Sequence, residues 1–93
     1  MTYELKFTSA YKRAYKRLKK RGADLSLLDE VIAVLQNGGK LDPKYRDHEL
    51  IGQFRGFREC HIKPDWLLIY LIDQGVLTLT LVDTGTHSEI LGL

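Results

Sequence analysis

The sequence predicts an α+β fold in which two N-terminal helices pack on a largely antiparallel, twisted sheet, in the order β-α-α-β-β-β-β. Three observations predict it. The chain opens with a strand-period segment, two stretches at helical spacing follow, and the later apolar residues come in short runs parted by turn signals. Amphipathic helices cannot bury their stripes alone, and the sheet that follows supplies the surface. At 93 residues the chain is long enough for one core and too short for two, so residues 1–93 are read as a single domain.

Tyr3, Leu5 and Phe7 alternate with Glu4 and Lys6, the pattern of a half-buried strand. Thr8 or Ser9 then offers a side-chain oxygen to cap a helix whose stripe is Tyr11, Ala14, Tyr15 and Leu18. Gly22 is placed to end it in the left-handed conformation. Asp24 or Ser26 caps a second helix with the stripe Leu28, Val31, Ile32 and Leu35, stopped by Asn37-Gly38-Gly39. So short a link makes the pair an antiparallel hairpin. Lys40 to Glu49 reads as a polar connection with a turn at Leu41-Asp42-Pro43, and Leu50-Ile51 as the start of a short strand before the Gly52 and Gly56 turn. Phe57 to Ile62 is the next strand. Pro64-Asp65 supplies a tight turn, and Trp66 to Asp73, the most apolar run, is a central strand buried on both faces. Gln74-Gly75 turns the chain into Val76 to Val82, with Leu77, Leu79 and Leu81 on one face, and Thr84-Gly85-Thr86 breaks that strand.

Composition narrows the function classes. A 44% apolar and 28% charged chain is that of a globular protein. No run approaches the roughly 20 apolar residues of a membrane span, and the first residues lack a signal-peptide pattern, so a cytoplasmic protein is expected. Cys60 is the only cysteine, which excludes an internal disulfide; it reads as a small core-facing strand residue, with His61 on the other face. The net charge of +2 hides an asymmetry: residues 1–23 carry eight basic side chains against Glu4 alone, and the remainder carries a net −5. Such a cluster is either a solvated helix face or the footprint of a phosphate-binding surface.

The three histidines, His48, His61 and His87, each stand at or just beyond a strand end. Their separations of 13 and 26 residues match no compact metal motif, and no metal site or cofactor is expected. What the trio offers is proton transfer near neutral pH.

Three segments carry a resemblance: Tyr45-Arg46-Asp47-His48-Glu49-Leu50-Ile51-Gly52; Gly56-Phe57-Arg58-Glu59-Cys60-His61-Ile62-Lys63-Pro64-Asp65-Trp66; and Thr84-Gly85-Thr86-His87-Ser88-Glu89. A histidine, then H-x-x-P-D-W, then T-G-[ST]-H at this spacing resembles the YafQ branch of the RelE-type toxins of bacterial type II toxin–antitoxin systems, over the whole chain. The resemblance implies a ribosome-dependent, metal-independent endoribonuclease that cuts messenger RNA and so inhibits translation. It implies His48, His61, Asp65 and His87 as catalytic residues: His87 the general acid, His48 or Asp65 the general base, His61 orienting or stabilising. The four are then expected on one exposed cleft, on the side of the sheet away from the helices. Trp66 is implied as a supporting aromatic in contact with substrate. Lys12, Arg13, Lys16, Arg17, Lys19, Lys20 and Arg21 become the surface that binds ribosomal RNA. The implied partners are the ribosome, messenger RNA and a DinJ-like antitoxin; operator DNA would be bound only through the antitoxin, and no membrane is involved.

Two positions depart from the family pattern. Asp83 stands where an arginine is usual before T-G-[ST]-H, and Leu91 where a phenylalanine would offer a stacking surface for a base. Either a nearby cation (Arg46, Arg55, Arg58 or Lys63) takes over the phosphate, or the chain is a catalytically weakened RNA- or antitoxin-binding module acting in regulation.

Overall fold

The computed structural model describes residues 2–91. Its order is β1 (Glu4–Phe7), α1 (Ser9–Lys20), α2 (Leu25–Gln36), β2 (His48–Glu49), β3 (Arg58–Lys63), β4 (Trp66–Asp73), β5 (Thr78–Gly85) and α3 (His87–Leu91), with single 3₁₀ turns at Pro43–Tyr45 and Gly52–Phe54. The sheet is five-stranded in the order β1-β5-β4-β3-β2. All neighbours are antiparallel except β1 and β5, which are parallel, so the sheet is mixed. The most apolar segment, β4, lies at its centre, as its composition requires.

Local signals set the helix ends. The Thr8 hydroxyl oxygen accepts from the Tyr11 amide at 3.0 Å to cap α1. Gly22, at φ +80°, lets the Gly22 and Ala23 amides fold back onto the carbonyls of Lys19 and Leu18. Asp24 caps α2 through the Ser26 amide at 3.1 Å. Tyr11, Leu18, Leu28, Val31, Ile32 and Leu35 then pack on one face of the sheet, against Cys60, Ile62, Leu68, Tyr70, Leu79 and Leu81. Alternation along β3 and β4 sends Glu59, His61, Leu67 and Ile69 to the opposite face.

Three expectations are corrected, and one irregularity is new. The short strand before Gly52 is His48–Glu49 rather than Leu50-Ile51, so His48 itself pairs with β3. The turn after β4 takes residues 74–77, leaving Leu77 at φ +52° and 40% exposed instead of on the core face. The last strand runs on through Thr84 and Gly85, which do not break it. Finally, Tyr70 pairs with Leu81 but Ile69 with Asp83, so Val82 is the extra residue of a β-bulge. The bulge reverses the parity of β5: Thr84 enters the core with no exposed surface, and Asp83 turns to the face opposite the helices. Thr8 steadies it, donating its hydroxyl to the Val82 carbonyl and its amide to that of Leu81.

Candidate active site

Three strand ends and one short helix bring the titratable side chains together. His48 pairs with Glu59 across β2 and β3, which places both on the face away from the helices, and His61 lies two residues further along β3 on that same face. Pro64-Asp65 forms the turn between β3 and β4, and His87 opens α3 beside it. Ring centroids are 6.3 Å apart for His48 and His61, and 5.8 Å for His61 and His87. Asp65 meets His87 twice, accepting from its ring Nδ1 at 2.9 Å and from its amide at 3.3 Å. His48, His61, Asp65 and His87 therefore share one exposed surface, floored by the buried Leu67 and Ile69.

All three imidazoles are held through the same atom. His48 Nδ1 lies 2.8 Å from the Arg46 carbonyl, His61 Nδ1 3.4 Å from the Pro64 carbonyl, and His87 Nδ1 2.9 Å from Asp65 Oδ1. Carbonyls and carboxylates can only accept, so Nδ1 carries the proton in each neutral ring and Nε2 keeps its lone pair. Arg46 reaches its part through a left-handed backbone, φ +52°, which directs its carbonyl back at His48. Hydrogen bonds from the His87 side chain and amide hold the Asp65 carboxyl below the usual carboxylate range, so it stays ionised at neutral pH.

Glu59 went unnoticed in the sequence. It is 6% exposed, and its Oε1 lies 3.5 Å from His48 Nε2 and 3.6 Å from His61 Nε2. The signal was available: period-two alternation puts Glu59 beside His61, while Cys60 between them faces the core. Burial pushes the Cys60 thiol up to about 12, which leaves no thiolate nucleophile near neutral pH. Among the described residues no group of three or more His, Cys, Asp or Glu side chains is placed to hold a metal ion.

The cationic residues divide. Arg46 and Lys63 line a cleft of about 320 Å³ together with His61 and Lys44. Arg58 does not join them, a correction that follows from strand parity. It shares the helix-side face with Cys60 and Ile62, and its guanidinium is tied to Asp47 at 3.1 Å, beside the Tyr70 hydroxyl that also donates to Asp47. Trp66 is corrected for the same reason. It is buried on the helix side, its indole N–H donating to Thr84 Oγ1 at 3.0 Å, and it presents no surface to a substrate. The side chain of Leu91 lies outside the described residues. Asp83 faces the histidine side, in register with Ile69 and thereby in the row of Glu59 and His48; its Oδ1 accepts from the Thr84 amide, and it does not pair with Arg58 or Arg46. On α1 and its C-terminal cap, Lys12, Arg13, Lys16, Arg17, Lys19, Lys20 and Arg21 are all exposed, and Arg17 and Arg21 in addition contact Glu89 of α3.

Residues 3–92 match the family model described as the bacterial toxin of type II toxin–antitoxin systems, YafQ. The chain belongs to the YafQ toxin family. It is 32% identical over 90 residues to the mRNA interferase toxin YafQ of Escherichia coli strain K12, covering 96% of each chain. The YafQ chain in the crystal structure of the E. coli DinJ–YafQ toxin–antitoxin complex superposes with a TM-score of 0.88 at 31% identity, over 97% of this chain and 98% of that one. A metal-bound toxin from Helicobacter pylori superposes with a TM-score of 0.90 at 43% identity, over 97% and 99% of the two chains. The α+β fold and the family expected from the three motif segments both stand on these matches.

Proposed function

We propose that this YafQ-family toxin is an endoribonuclease that cuts messenger RNA on the ribosome by acid–base catalysis from its histidines. The observation that best supports it is the common tethering of His48, His61 and His87 through Nδ1, which leaves each Nε2 for other chemistry, those of His48 and His61 converging near Glu59 Oε1 at 3.5 and 3.6 Å. His48 Nε2 takes the proton of a ribose 2′-OH. The 2′-oxygen bonds to the adjacent phosphorus as the bond from phosphorus to the 5′-oxygen breaks. Protonated His87 gives its Nε2 proton to that leaving oxygen, producing a 2′,3′-cyclic phosphate and a 5′-hydroxyl. His61, between the two rings, donates from Nε2 to the nonbridging oxygens in its imidazolium form, with Arg46 and Lys63 supplying positive charge nearby. Asp65 is assigned as the group that orients and stabilises the His87 imidazolium, not as the base: its Oδ1 already accepts both His87 protons, and its lowered pKa makes it a poor proton acceptor.

The exposed cations of α1 dock the toxin on ribosomal RNA, a dense phosphate array. In the cytoplasm a DinJ-like antitoxin restrains it, and any operator DNA is reached through that partner. A second reading, the weakened binding module, is favoured by one observation: Asp83 adds a negative charge to the histidine face. Primer extension on messenger RNA from cells expressing the chain separates the two. Cuts inside translated codons, lost in His48→Ala and His87→Ala by about 10²–10⁴ in rate, support the nuclease. Intact messages beside an intact antitoxin complex support the module.

A further inference from the structure

α3 has five residues, too few to hold a helical shape by itself, yet it carries His87. Asp65 secures one side of it. The other side is secured from α1, by a side chain that the proposed chemistry does not use. Glu89 Oε2 lies 2.9 Å from Arg17 Nε and 2.7 Å from Arg21 Nη2, and Arg21 Nη1 donates to Oε1 at 3.4 Å. The two arginines are four residues apart and so share one face of α1. The same carboxylate closes a capping box: Oε1 accepts from the Thr86 amide at 3.0 Å, while Thr86 Oγ1 accepts from the Glu89 amide at 3.1 Å. Gly85 makes room for it, since a Cβ there would lie 3.0 Å from Glu89 Oε1. Strand β5, the cap and the basic helix thus converge on one carboxylate, two residues beyond His87.

We propose that Glu89 is a positioning residue for His87, clamping α3 to the basic helix so that the imidazole stays seated against Asp65. The inference rests on the reading of His87 as the proton donor. It carries a further consequence. Arg17 and Arg21, which charge alone assigns to RNA, are committed to holding the catalytic end of the molecule. Docking then falls to Lys12, Arg13, Lys16, Lys19 and Lys20.

The test measures single-turnover cleavage of a defined messenger on purified ribosomes, ribosome affinity by pelleting, and hydrogen exchange of the His87 and Ile90 amides. Glu89→Ala lowers the cleavage rate about tenfold, the scale of losing a helix cap, with ribosome affinity unchanged or tighter because two arginines are released. Faster exchange at both amides accompanies it. Glu89→Gln loses less, since its amide oxygen still accepts from Thr86. Arg17→Ala/Arg21→Ala slows cleavage at saturating ribosomes as well, which a pure docking role would not do. If Glu89→Ala disturbs the whole fold, seen as a lowered urea midpoint, Glu89→Gln and the arginine pair carry the comparison. A Glu89→Ala variant that cleaves at the native rate while His87→Ala is inactive overturns the clamp and leaves the nuclease reading standing. Native cleavage by His87→Ala overturns the nuclease reading, and the clamp's catalytic role with it. Unchanged amide exchange in Glu89→Ala overturns the clamp whatever the activity.

Discussion

Replacing Thr84 by valine keeps the shape of a fully buried side chain and removes only its hydroxyl. That hydroxyl accepts from the Trp66 indole at 3.0 Å and donates to the Leu67 carbonyl at 2.7 Å. The indole N–H has no other hydrogen bond in the described core, so it is left unsatisfied beside a carbonyl that loses one of its donors. A buried donor without a partner costs about 1–3 kcal/mol, and the added methyl recovers part of it; about 2 kcal/mol is expected. In a domain of this size that lowers Tm by about 10 °C. Trp66→Phe removes the donor instead, and the double variant should be about 1 kcal/mol more stable than the two single losses added together. Urea unfolding with a shared m-value measures the cycle. Cleavage by Trp66→Phe should stay within about threefold of native, because the indole touches Thr84 and not the histidine face. A Thr84→Val change below about 0.5 kcal/mol, strict additivity in the cycle, or loss of cleavage in a stable Trp66→Phe variant would each refute the structural role given to Trp66.

Three further outcomes are expected. Reversing the charge of Lys16, Lys19 and Lys20 should weaken ribosome pelleting and flatten its salt dependence, each change costing within about 0.5 kcal/mol of stability; pelleting unchanged at every salt concentration would leave them as solvated surface. Asp83→Arg should raise messenger cleavage and growth arrest, and Asp83→Asn less so, since the carboxylate repels a phosphate on that face; silence in both variants would place Asp83 outside the site. Arg21, the Thr86 amide and Arg17 hold the Glu89 carboxyl down at about 2. Its folded-state pKa being depressed, its contribution is complete above the ordinary value of 4.5 and fades as pH falls toward 2. Native and Glu89→Gln proteins should therefore differ in α3 amide protection at pH 6 and converge near pH 2; an equal gap at both would deny Glu89 this role.

Most of the fold could be read locally. Caps at Thr8 and Asp24, the stop at Gly22 and the limits of β4 rest on the conformational preferences of a few neighbouring residues, which travel with the sequence. His48, His61, Asp65 and His87 are implied together by the family resemblance that the three motif segments carry. What brought them together was the pairing of β2 with β3 and the seating of α3 beside the β3–β4 turn. Glu59 was legible in principle, by alternation with His61. Its reach to His48 depends on a cross-strand partner that no local pattern supplies.

The sequence by itself determined the order of the five strands and the first two helices and the apolar face of each of those helices, because these follow from residue type and period; α3 was not read from it. The tertiary structure alone decided the rest. The bulge at Val82 reverses β5, burying Thr84 and turning Asp83 outward, and it is held by a hydrogen bond to the Val82 carbonyl from Thr8, a residue 74 positions away in the chain. The same is true of Trp66, whose face depends on which side of the sheet the helices cover, and of Arg17 and Arg21, whose charge is met by Glu89. Each depends on which distant segment lies alongside, and that is set by the packing of the whole core, not by local preference.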